Sequence, residues 1–214
     1  MCFNASSSLI TFIIGIIGSF TLMKYGNRKF KNENIVFGIF FIFIAFIQLM
    51  DFCFWIDLKN KLKLNHFVTL IGPLLNVGQP LILYIIKYIY FKPEIDLTKM
   101  NINTLYAFLN IGYFIYLLNI YNNFLQKSKL ITGTSHGHLL WPWIPFTNPY
   151  FYCITLSLNL FYLTNLNYSL MGFIVLFVGL MLSILLFHYN VGELWCFFGA
   201  FMSFLYLILS YFIK

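Results

Sequence analysis

Apolar residues run along this chain in seven long blocks, at roughly 6–24, 35–57, 66–90, 103–123, 148–164, 167–188 and 192–213. A helix needs about 20 mostly apolar residues to cross a bilayer, within a range of about 17–25. The blocks do not alternate in polarity, and they are about twice the length of the segments that build membrane barrels. The pattern therefore predicts an all-α fold, a polytopic integral membrane bundle of seven transmembrane helices. No repeat or linker divides it, so residues 1–214 read as one domain.

The connections between blocks are short and polar. One is basic (Lys24, Arg28, Lys29, Lys31), one lysine-rich (Lys59, Lys61, Lys63), and one mixed (Lys92, Pro93, Glu94, Asp96, Lys99). The fifth and sixth blocks are joined by a few residues around Asn165, which makes them antiparallel neighbours. The longest connection, 124–147, carries Gly133, His136, Gly137, His138, Trp141, Pro142, Trp143 and Pro145. Its two prolines rule out a continuing helix, and its two indoles favour an interfacial setting. We expect it to fold over the mouth of the bundle as a lid, with His136 and His138 near Asp51 and Glu193. The plainer expectation is an anchor at the headgroups.

Composition agrees with lipid as the solvent: 61% of residues are hydrophobic, 9% are charged, and the mean hydropathy is +0.83. A soluble domain is about 25% charged. The net charge of +7 does not imply nucleic acid as a partner, because most basic residues sit in the connections. There they set topology and meet membrane lipids. With the N-terminus extracytoplasmic, the cytoplasmic side holds Lys24, Arg28, Lys29, Lys31, Lys87, Lys92, Lys99 and Lys214, against Lys59, Lys61, Lys63, Lys127 and Lys129 outside. That bias predicts an outer N-terminus and a cytoplasmic C-terminus. Residues 1–8 lack a basic leader region, so the first span is expected to be its own anchor.

Polar residues within the blocks are the candidate chemistry. An ionisable group inside a span is costly and normally faces the bundle interior. Asp51 lies within the second block and Glu193 opens the seventh; Gln48, Asp51 and Trp55 share one helical face. In the third block His66, Thr69, Pro73, Asn76 and Pro80 fall at helical spacing, flanked by Gly72 and Gln79. Two prolines there predict a kinked polar face. Gln48, Asp51, His66, Asn76, Gln79 and Glu193 are therefore expected to line a polar pocket open to the outer face. In the first block Ser8, Thr11, Gly15 and Ser19 read as close helix packing.

Cys2, His136, His138, His188 and Cys196 gather towards the same face and form a candidate metal set, with zinc the metal that suits them. Cys2 and Cys196 could instead form a disulfide. Retinal is not expected, since 192–213 holds no lysine for a Schiff base. Asn148-Pro149-Tyr150-Phe151-Tyr152 matches a receptor signature but stands at the start of the fifth block rather than the end of the seventh.

The Met1-Cys2 start, the run Gly72-Pro73-Leu74-Leu75-Asn76-Val77-Gly78-Gln79-Pro80 and the run Gly192-Glu193-Leu194-Trp195-Cys196 resemble a seven-helix membrane protein family of large DNA viruses and bacteria. The resemblance covers most of the chain. It implies a seven-helix bundle and carries no catalytic assignment. The expected function is the binding or passage of a small solute or ion. The alternatives are an intramembrane metal-dependent enzyme, such as a lipid hydrolase, and a structural or assembly component of a viral or cellular membrane.

Overall fold

A computed structural model describes residues 4–96, 101–127, 130–135, 138–187 and 191–212. Nearly all of it is helix. The order is α1 (Ala5–Tyr25), α2 (Lys31–Ile56), α3 (Leu64–Val77), α4 (Gln79–Phe91), α5 (Ile102–Leu125), the strands β1 (Gly133–Ser135) and β2 (His138–Leu140), then α6 (Pro149–Phe161), α7 (Leu166–Phe187) and α8 (Val191–Ser210). The all-α expectation holds. Among the described residues α1, α2 and α5 are long and apolar enough to cross a membrane, and α3 with α4 makes a fourth candidate bent by 64°.

Local chemistry sets the helix ends. Asn4 caps α1 by accepting from the Ser7 amide at 2.9 Å, which satisfies one of the donors a helix start leaves bare. Asn101 caps α5 in the same way through Thr104. Asn148 accepts from the amides of Tyr150 and Phe151, with Pro149 at the first helical position. Proline is favoured there because its missing N–H is not needed. Asn148-Pro149 is thus a helix start, which accounts for the receptor-like match.

The third block is one element broken in two. Pro73 and Pro80 withhold donors from the helical ladder, and the chain bends at Gly78 between α3 and α4. Such bends at proline are expected. Carbonyls near the break find side-chain partners: Tyr113 Oη donates to Val77 O at 2.8 Å, and Asn159 Nδ2 donates to Pro80 O at 2.9 Å.

Polar side chains are buried within a largely apolar core, and many large apolar side chains are exposed. Gln48, Asp51, Asn65, Gln79, Lys87, Asn110 and Asn159 are buried, while Ile10, Ile17, Phe20, Phe108, Ile115, Ile174 and Phe177 are exposed. The exposed apolar surface is compatible with helices set in lipid. One end of the bundle joins Asn27 to Ser210 and Tyr168 to Asn34; the other joins Trp141 to Asp51. The small-residue face of α1 is buried, as its packing role requires. Its Thr11 and Ser19 hydroxyls donate to carbonyls one turn back, and Gly18 lies against Ser203 and Phe204 of α8.

The fifth block differs most from its expected form. Helix α6 has 13 residues, or roughly 20 Å, short of a bilayer core. Its start touches Tyr116, well before the end of α5 at Leu125. The space beside the last turns of α5 is filled instead by the irregular segment from Trp141 to Thr147. Irregular backbone at such depth is tolerated where protein surrounds it.

Candidate functional site

The site begins at the turn after α2. Asp57 accepts from the amides of Leu62, Leu64 and Asn65, at 3.2, 2.9 and 3.2 Å. Burial works to raise its pKa, but the amides of Leu62, Asn65, Leu64 and Lys61 together outweigh it and hold the carboxyl below its ordinary value. This brace fixes the first turn of α3.

Helix α3 then latches the long loop. The Asn65 side-chain amide pairs with Thr132 as a strand would: Nδ2 donates to Thr132 O and Oδ1 accepts from Thr132 N, both at 2.9 Å. Thr69 Oγ1 also accepts from Thr132 N at 3.1 Å. His66 Nδ1 lies 2.9 Å from Leu130 O, and Lys127 Nζ donates to Pro142 O at 2.7 Å. A short antiparallel hairpin, Gly133 opposite Leu140, stands over these contacts.

The loop then turns inward. Trp143 is fully buried and Trp141 nearly so, with their rings stacked at 5.4 Å. Trp141 Nε1 donates to Asp51 Oδ1 at 3.2 Å, and Trp143 Nε1 to Asn76 Oδ1 at 3.4 Å. Gly72 makes this approach feasible, since a Cβ there would lie 2.2 Å from the Trp143 ring. Phe124 of α5 meets the same ring edge-on. The long loop folds against the bundle, with the indoles on Asp51 of α2 and on Gly72 and Asn76 of α3; His136 and the Glu193 side chain, expected beside Asp51, lie outside the described residues. Asp51 lies beneath them, fully buried, with Gln48 buried one turn deeper.

The remaining candidates are dispersed. Asn76 is half-buried at the second indole, and His66 is exposed at the latch. Gln79, fully buried at the break, accepts from Tyr152 Oη at 2.7 Å, so its hydrogen bonding is with α6 rather than with the indoles. Glu193 falls in the first turn of α8, with its side chain outside the described residues. Of the metal set, His138 lies in β2, half-buried. Cys2, His136 and His188, and the side chain of Cys196, lie outside the described residues. Among the described residues no three His, Cys, Asp or Glu side chains stand close enough to share a metal.

Two polar centres were missed from the sequence. Lys87 is fully buried near the end of α4, and its Nζ donates to the carbonyls of Asn159, Leu160 and Tyr162 at 2.6, 2.8 and 2.7 Å, with Thr164 Oγ1 beside it. A helix ends with unpaired carbonyls and a partial negative charge. Lys87 supplies donors to the end of α6. Its isolation in an apolar run was the available signal; it had been read only as a charge in the cytoplasmic tally. The second centre is Asn110 with Asn159, whose amides donate reciprocally to each other at 3.0 and 2.8 Å. Asn110 and Asn159 stand 49 residues apart, so neither announces the other.

Compared with known proteins, the chain matches no family model, no curated protein and no solved structure.

Proposed function

We propose that the chain crosses a membrane seven times, N-terminus outside, and binds or passes a small cation or proton at Asp51 beneath the Trp141–Trp143 lid. The observation that carries this reading is Asp51 itself, a carboxylate fully buried inside α2 and covered by an indole from a loop folded inward. A carboxylate held away from water gains most from a proton or a metal cation. Gln48 and Asn76 supply polar neighbours on the two sides of the site. The broken α3–α4 element supports the same reading, because a discontinuous helix beside a buried charge is a common transporter device.

Passage requires Trp141 to leave Asp51, since the indole covers the outer approach. Flux through proteoliposomes is the test, read with a pH-sensitive dye for protons and with radiolabelled sodium and potassium. Asp51→Asn is expected to lower the flux at least about tenfold, and Trp141→Phe to raise it by loosening the lid. No flux in the wild type, or an unchanged flux in Asp51→Asn, would rule the passage reading out.

The tight latch favours one second reading: a membrane protein of structural role, in which the lid never opens. That role predicts unaltered assembly with Asp51→Asn and no ion dependence.

A further inference from the structure

Beside the break between α3 and α4, where Gln79 opens α4, lies a cavity of about 20 Å³. A water needs about 10–15 Å³ of such space, so the cavity takes one and nothing larger. Phe41, Ile44, Leu156 and Met202 give it apolar walls, and Gln79 and Tyr206 are its polar side chains. All six are buried. The Tyr206 hydroxyl stands at Gly172, which lines the same cavity and where a Cβ would collide with it.

Gln79 is fully buried, and its Oε1 is taken by the Tyr152 hydroxyl. Its Nε2 has no hydrogen-bond partner among the described residues. A buried donor is seldom left bare, because nothing repays its lost hydration. An amide donor repels a metal cation, and none of the described residues that line the cavity is charged to hold an anion. Water suits both the size and the chemistry. Its oxygen can accept from Gln79 Nε2 while it bonds the Tyr206 hydroxyl, and buried waters make about 2–4 such bonds.

We propose that the cavity is a binding site for one water, which accepts from Gln79 Nε2, bonds the Tyr206 hydroxyl and so joins the start of α4 to α8. A bridging water is nearly as good a link as a direct hydrogen bond. It can also re-form its bonds at shifted positions, so α4 can move against α8 at the break without leaving Gln79 bare. The site has no residue in common with the Asp51 site, and the two stand or fall separately.

The sequence holds three glutamines, Gln48, Gln79 and Gln126. A nitrogen-15 glutamine-labelled protein in detergent therefore shows three side-chain amide pairs. Gln79→Leu identifies its own, or Gln48→Leu and Gln126→Leu identify it by elimination. Selective excitation of water is expected to give the Gln79 pair cross peaks of opposite sign in the laboratory and rotating frames, the mark of a resident water. Ile44→Phe fills the cavity but keeps the amide and both tyrosine hydroxyls, so the peaks should be lost. Peaks that survive it come from a hydroxyl exchanging with solvent and would overturn the proposal. If Ile44→Phe does not fold, Tyr152→Phe combined with Tyr206→Phe decides: a weakened peak is the water's, and a vanished one was the hydroxyls'. In the wild type, absent peaks, equal signs from exchange with solvent, or cross peaks to detergent acyl protons would equally overturn it. Asp51→Asn should keep the full response even if it abolishes flux.

Discussion

Lys87 shows how a side chain from one helix can complete the end of another. Its ammonium has three N–H groups, and three carbonyls and a hydroxyl of the α6 end surround them. The ring of Phe37 lies 5.4 Å away, and no water-facing surface remains. Replacing Lys87 by Met removes the donor to Asn159 O, while Leu160 O keeps the Ser169 hydroxyl, and it should cost about 1–3 kcal/mol, measured by thermal or denaturant unfolding in detergent. An unchanged melting temperature would show that the buried amine adds no net stability. Trp141→Phe poses the matching question for Asp51: it keeps an aromatic ring but removes the N–H together with the five-membered half of the indole. It should destabilise the fold by about 1–3 kcal/mol, and Asp51→Asn should shrink that cost in a double-mutant cycle.

At the scale of elements, the latch between α3 and the loop depends on pH through Asp57. Its folded pKa is depressed, so its contribution is present above the unfolded value of about 3.9 and is lost as pH falls through the lower folded value. Hydrogen exchange should report this directly. The amides of Leu64 and Asn65 should be protected above about pH 4 and exchange faster as the carboxyl protonates. In Asp57→Asn they should exchange fast at every pH; equal protection in that variant would sink the brace. Gly72→Ala should push Trp143 out of its seat at a cost of about 1–3 kcal/mol, visible as increased cleavage beside Trp141 and Trp143.

Much of this level was legible in the sequence, because helix length and proline position are local properties. The helices match the seven blocks, with α3 and α4 read as one bent element, and the indole loop folds inward as its prolines and tryptophans imply. What was hidden depends on partners remote in sequence. Nothing near Asn65 announces Thr132, 67 residues on, and nothing near Lys87 announces the end of α6. The shortness of α6 was equally hidden, since Trp141 to Thr147 is apolar enough to fill the same space without being helical.

For the molecule as a whole, the exposed apolar surface is compatible with a lipid surround, and the basic connections predict its topology. Single cysteines placed near residues 29 and 130 should label from opposite sides; labelling from one side would contradict the seven-crossing arrangement. Within that arrangement the central claim is that Asp51 holds a cation or proton beneath the lid. A ligand that binds only the folded state raises its melting temperature by mass action. The most direct measurement is therefore the melting temperature of the wild type and of Asp51→Asn across pH and across sodium and potassium concentration. Protonation or one of the two cations should raise the wild-type value, with the dependence absent from Asp51→Asn. A wild type that ignores all three, or an Asp51→Asn variant that responds in the same way, would contradict it.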